Sequence, residues 1–131
     1  MVFTKDMRDM IEDQLPFLAT TSKAGLPQIG PEGTLRVLKD GQLVYYEHTF
    51  RHAYHNMKET GLAAVAVANR TVESGFRFEG SAEIHEGDPL AEEVLAPTTI
   101  RERFPRVVVV VINVERIYRL NNDLDAGTRL F

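Results

Sequence analysis

The chain has 131 residues, 44% of them hydrophobic and 26% charged, with a formal net charge of −4 and no cysteine. That length supports a real core but not two, so one domain over residues 1–131 is expected. The acidic balance argues against a general nucleic-acid binder, and the lack of cysteine excludes disulfides, thiolate metal sites and thiol catalysis.

Thr4 stands where it can cap a short helix in which Met7, Met10, Ile11 and Leu15 recur at helical spacing. Pro16 ends that helix and opens a strand, Phe17 to Thr21. The turn residues Lys23 to Pro27 then predict an antiparallel partner strand from about Gln28. Thr34 to Leu38 and Leu43 to Glu47 flank Asp40-Gly41, a strong hairpin signal.

A helix over roughly Arg51–Thr60 closes at Gly61, a natural left-handed cap. Leu62 to Val67 is a buried strand of small side chains. From Gly75 to Glu86 the pattern alternates, with Phe76, Phe78, Gly80, Ala82 and Ile84 on one face and charged or polar residues on the other. Asp88-Pro89 starts a helix that Pro97 breaks, and Thr99 with Glu102 has the spacing of a capping box.

Arg106 to Leu120 is the last strand, and its run Val107–Ile112 is apolar on both faces. One face serves the core. The other is expected to form a subunit interface, with cover by a helix as the alternative. The polar tail from Asn121 to Gly127 is expected to reach over a neighbouring site. No run is long enough to span a bilayer, and Lys5, Asp6, Arg8 and Asp9 stand where a signal peptide would be apolar. A cytoplasmic protein without a membrane partner follows as the expectation. Short strands, hairpin turns and few helices predict a mainly β fold, a closed or partly open antiparallel barrel flanked by short helices.

The segment Gln42–Met57 carries the chemistry. A strand there delivers the chain into a helix N-terminus, whose first N–H groups lack intrahelical partners. Thr49, Arg51 and His52 stand beside that opening, a combination suited to an anion and above all a phosphate. The plainer alternative is that Thr49 is an N-cap and Arg51, His52 and His55 a solvated face. His48, His52 and His55 could present two imidazoles on one helical face, and Glu47 and Glu59 are at hand, but nothing in the sequence fixes a ligand geometry, so no metal site is expected. No residue is assigned as catalytic.

In order and spacing, the residues from Leu18 to Ile84 resemble the FMN-binding split-barrel superfamily, which includes pyridoxamine 5′-phosphate oxidase. Four elements carry the likeness without a gap: Pro31-Glu32-Gly33-Thr34-Leu35-Arg36, Tyr46-Glu47, Arg51-His52-Ala53, and Gly75-Phe76-Arg77-Phe78-Glu79-Gly80. The short flavin-nucleotide-binding relatives are nearer still, through Gly30-Pro31-Glu32 and Asn56. Three departures stand out. The oxidase's phosphate lysine is Ala53 here, its arginine is His52, and its ring-contacting glutamine is Gly75. No counterpart exists for the segment by which the oxidase holds pyridoxamine phosphate.

The resemblance implies a split β-barrel homodimer with FMN at the subunit interface and hydride or electron transfer at the flavin N5. The candidate cofactor contacts are Gly30, Pro31, Glu32, Gly33, Thr34, Arg36, Tyr46, Glu47, His48, Thr49, Arg51 and His52. Gly30 and Gly33 would let the backbone approach a flat ring, and Arg36 would stabilise charge at the reduced ring's N1 and O2. The alternatives are a flavin-sensing or storage module, and a barrel without flavin in an interaction or haem-handling role. A deazaflavin in place of FMN is a further variant.

Overall fold

The computed structural model describes residues 1–131. In chain order the elements are α1 (Lys5–Asp13), β1 (Phe17–Thr21), β2 (Pro27–Pro31), β3 (Arg36–Lys39), β4 (Gln42–Glu47), α2 (His52–Thr60), β5 (Leu62–Asn69), β6 (Ser74–His85), α3 (Pro89–Leu95), α4 (Ile100–Arg103) and β7 (Val108–Arg119). The strands form one seven-stranded sheet in the order β2-β1-β5-β6-β7-β4-β3. Every neighbouring pair is antiparallel. This is the mainly β split barrel, with short helices at its flanks.

Local chemistry sets the boundaries. Thr4 caps α1 by accepting the Met7 N–H, and Asp88 caps α3 by accepting that of Ala91. Gly41 and Gly61 take the positive φ values, 79° and 68°, that the β3–β4 hairpin and the end of α2 require. The expected box at Thr99 is absent: α4 begins there, but the Thr99 side chain makes no capping bond. At Gly80 the β6–β7 register shifts by a bulge, and a Cβ there would be driven into the Asn113 carbonyl. The bulge bends the longest pair of strands in the sheet, as a barrel corner requires.

Two cores follow from the two faces of β7. Inside the barrel, Leu18, Val65, Phe78 and Ile117 line up across four strands, closed over by Met7 and Ile11 of α1 and Met57 of α2. On the other face Val44, Val109 and Val111 pack under Ala91, Val94 and Leu95 of α3 and Ile100 of α4. The second face of the valine run is therefore covered within the chain, and the expectation that it forms a subunit interface is corrected. The two helices are short, but their apolar faces coincide with the run's outward residues.

The C-terminal residues pack against their own chain. They fold back on β7: Arg119 donates to the Thr128 carbonyl at 2.9 Å and Leu130 to that of Ile117 at 2.7 Å. β4 pairs only with β7 residues 108–113, so the tail satisfies part of an edge left open beyond them. No helix is long and apolar enough to cross a membrane.

Candidate functional site

The candidate residues gather where β2 leads into β3 and where β4 leads into α2. Gly30 and Pro31 end β2, paired with Leu18 and Phe17. Glu32 then turns the chain, its N–H donating to the Pro16 carbonyl at 3.0 Å and its own carbonyl accepting Leu35 N–H at 3.2 Å. Thr34 Oγ1 accepts the Tyr46 N–H at 3.0 Å and ties this turn to β4. Arg36 opens β3 opposite Val44, with its guanidinium 5.2 Å from the centre of the Tyr46 ring. Its Nη1 is buried and has no hydrogen-bond partner.

Two hollows meet at Arg36. A cleft of about 650 Å³ runs between α1 and the turn, with Gly33, Thr34 and Arg36 on one wall and Arg8, Glu12 and Leu15 on the other. A smaller one of about 380 Å³ lies between β3 and α3, lined by Arg36, Lys39, Gln42 and Leu90. Volumes of about 300–1,000 Å³ are usual for small-molecule and cofactor sites. Neither Gly30 nor Gly33 has a positive φ. A Cβ at Gly33 would meet nothing, and one at Gly30 only the Gln28 side chain at 3.6 Å. Neither internal packing nor a left-handed turn demands a glycine at these positions.

At the β4–α2 corner the structure adds a feature that residue spacing hid. Glu47 is 4% exposed. Its Oε2 accepts the Thr49 N–H at 2.8 Å, the Thr49 hydroxyl at 3.0 Å and the Phe50 N–H at 3.0 Å, while Oε1 accepts the Tyr45 hydroxyl at 3.1 Å. Phe50 has a φ of 55°, a turn that aims both N–H groups at one carboxylate. Thr49 is therefore not the helix N-cap. That position is Arg51, which makes no side-chain capping bond. Arg51 and His52 are exposed at the helix start, and the first intrahelical bond runs from the His55 N–H to the Arg51 carbonyl. The N–H groups just inside α2 remain available to a ligand.

Charge at this corner is unevenly placed. Burial, and then repulsion from Glu47, pushes the Glu32 carboxyl up to about 7. Burial and the same carboxylates raise the Tyr45 phenol well above its ordinary value. The corner thus holds one anchored anion, one carboxyl that exchanges its proton near neutrality, and two exposed basic groups.

His48 and His55 each meet an aromatic ring. His48 stacks on Phe104 of the α4–β7 connection, 3.9 Å between centres and 12° from parallel. His55 meets Tyr54 edge-on at 5.4 Å. Three residues not singled out from the sequence complete the corner: Tyr45, Phe104, and Arg106, whose guanidinium lies 4.1 Å from the Phe50 ring centre and bonds Glu86. Tyr45 and Glu47 are two apart on a strand and share its inner face, the one signal that could have paired them.

A family model described as pyridoxamine 5′-phosphate oxidase matches residues 3–121. The chain belongs to the pyridoxamine 5′-phosphate oxidase family. Among solved structures, a candidate pyridoxamine 5′-phosphate oxidase of Lactobacillus delbrueckii is 34% identical, with a TM-score of 0.82 over 89% of this chain and 93% of that one. HupZ of Group A Streptococcus is 32% identical, with a TM-score of 0.82 over 95% of this chain and 99% of that one. An FMN-binding protein of Syntrophomonas wolfei, 19% identical, shares the fold at a TM-score of 0.67 over 88% of this chain and 84% of that one. For this family member the matched region takes in the β2–β3 turn, the β4–α2 corner and β6, so every candidate residue lies within it.

Proposed function

We propose that this family member is a cytoplasmic FMN-binding protein, acting as a homodimer and passing hydride or electrons to or from a small molecule. The observation that carries the reading is Arg36: one of its guanidinium nitrogens is buried without a partner, and the residue itself lines a cleft of cofactor size. An unsatisfied buried donor costs about 1–3 kcal/mol, a cost that a ligand acceptor would remove.

The residues present fit the group. Arg51, His52 and the free N–H groups at the start of α2 would hold a phosphate by charge-assisted hydrogen bonds. Arg36, whose guanidinium stands over the Tyr46 ring, would offer a positive charge to a bound ring and so favour its reduced, electron-rich form. Bare backbone at Gly30 and Gly33, stiffened by Pro31, leaves room for a flat ring to lie close. Glu32 can hold or release a proton at its carboxyl near neutral pH. Thr34 and Thr49 act indirectly, by fixing Tyr46 and Glu47. When bound, the flavin supplies hydride or single-electron transfer at its N5.

One observation favours a barrel without flavin. Glu47 consumes the loop N–H groups of Thr49 and Phe50, and Ala53 stands in place of a phosphate lysine. The two readings separate on Arg36→Met. If Arg36 serves a flavin, the variant loses roughly tenfold or more in FMN affinity while its unliganded fold is equally stable or gains about 1 kcal/mol. Equal FMN affinity in variant and wild type overturns the assignment.

A further inference from the structure

His85 stands between two carboxylates where β6 ends and α3 begins. Its half-buried ring puts Nδ1 2.7 Å from Asp88 Oδ2 and Nε2 3.1 Å from Glu83 Oε2. Each carboxylate has a second task. Asp88 Oδ1 accepts the Ala91 N–H at 2.9 Å and so caps α3, while Glu83 Oε1 accepts from the Asn113 side-chain amide at 3.0 Å. Asn113 Oδ1 in turn accepts from the Gln42 side-chain amide at 2.8 Å. One run of hydrogen bonds thus crosses the outer face from β4, through β7 and β6, to the first turn of α3.

Both ends of this run lie on one hollow. Gln42 lines the space of about 380 Å³ beside Arg36, and Leu90, Glu93 and Val94 of α3 form its opposite wall. The middle of the run depends on one proton. Carboxylates only accept, so both contacts of His85 are hydrogen bonds only when the ring carries protons on both nitrogens. A neutral ring keeps one N–H and turns a lone pair toward the other carboxylate, which cuts the run whichever tautomer it takes.

We propose that the doubly protonated His85 is a clasp that ties α3 to the sheet, and that loss of one proton loosens the helix and the hollow it walls. The charges around the ring favour the closed state. Glu83 faces it from β6 and Asp88 from the start of α3. Glu86, in the connection between them, is taken up by Arg106 of the α4–β7 connection through two bonds of 2.8 Å, and Lys58 of α2 adds a weaker attraction. β7 sets only the uncharged Val109 and Val111 opposite His85 and Glu83. Burial alone would lower the ring's hold on its second proton, but the bonds to Asp88 and Glu83 outweigh it and raise His85 above its ordinary 6.5. Because the folded value is raised, the clasp's contribution is whole below pH 6.5 and is lost as pH climbs through the folded value. α3 has seven residues, too few to hold its form without tertiary ties. The hollow's place in a flavin site rests on the function proposed above; the clasp itself does not.

Amide hydrogen exchange without added flavin tests the proposal, read at Glu92 and Ala96, whose N–H groups donate to the Asp88 and Glu92 carbonyls. Their protection should fall about three- to tenfold, the worth of one net hydrogen bond, as NMR follows His85 through loss of its proton. His85→Gln, which has no proton to lose, should lack that step; Glu32 titrates in both proteins and cancels from the comparison. Asp88→Asn keeps a cap for α3 but removes a charge, so the His85 titration and the step in protection should move together to lower pH. A ring that merely fills space would not link the two. His85 titrating at or below 6.5, protection that stays constant through its titration, or an equal step in His85→Gln overturns the proposal. No flavin enters the measurement, so its failure leaves the FMN reading standing, and a protein that binds no FMN leaves the clasp standing.

Discussion

Removing the Glu47 carboxylate tests the account of the β4–α2 corner. Glu47→Ala takes the acceptor from four donors at once: the Tyr45 hydroxyl, the Thr49 hydroxyl, and the N–H groups of Thr49 and Phe50. Thr49 is exposed, so water replaces much of what its donors lose. Tyr45 is fully buried, and its orphaned hydroxyl carries an unmade-bond cost of about 1–3 kcal/mol. Loss of the charge-assisted bond to the Phe50 N–H, which holds a positive φ, adds about 1–2 kcal/mol. Relief from burying a charge beside Glu32 offsets part of this. The net destabilisation expected is about 2–4 kcal/mol for Glu47→Ala and about 1–2 kcal/mol for Glu47→Gln, which keeps one acceptor oxygen. Urea unfolding measures both. The same variants should bring the Glu32 carboxyl down from about 7, since Glu47 is the second cause of its rise, while burial keeps it above 4.5. Carboxyl-carbon NMR titration reads that shift. A loss under 0.5 kcal/mol for Glu47→Ala would refute the corner as a load point for the loop.

Glu32 makes stability depend on pH. Its folded value is raised, so the native state holds a proton between about 4.5 and about 7, and stability falls as pH rises through that window. Solvent reaches the group, so the fall attributable to it is about 1 kcal/mol, and Glu32→Gln should abolish it; equal slopes in variant and wild type across pH 4.5–7.5 would contradict this. Gly80→Ala should destabilise by about 3 kcal/mol or more, because its Cβ meets the rigid Asn113 backbone, and a thermal midpoint near that of wild type would show that the bulge relaxes freely. Arg51→Ala should weaken FMN binding by about 1.5–3 kcal/mol with little effect on folding, and an unchanged dissociation constant would remove Arg51 from the phosphate site.

Much of the architecture was legible in the residues because its signals are local. Thr4, Gly41, Gly61 and Asp88 mark ends and turns through their own backbone chemistry, and β6 shows its half-burial in a strict alternation. The exceptions turn on which partner a residue takes, near or far along the chain. A doubly apolar valine run demands cover on both faces but cannot say whether a helix or another subunit provides it. Thr49 and Thr99 carry capping residue types, yet the Glu47 carboxylate claims the first and the second makes no cap bond. The Glu79–Gly80 bulge depends on the register with β7, which a glycine alone does not reveal.

At the site, element positions were readable and partnerships were not. Arg36 and Tyr46 lie in the strands expected for them, but the buried, unpartnered nitrogen that gives Arg36 its significance follows from packing. Glu32 and Glu47 read as separate acidic residues, and only the turn between β2 and β3 brings their charges into conflict.

Titration of purified protein with FMN, followed by quenching of flavin fluorescence, is the most direct measurement. Saturable binding of one flavin per chain, weakened by Arg36→Met and Arg51→Ala, is the result predicted. A well-folded protein that leaves FMN fluorescence unchanged at saturating concentration would contradict the central claim.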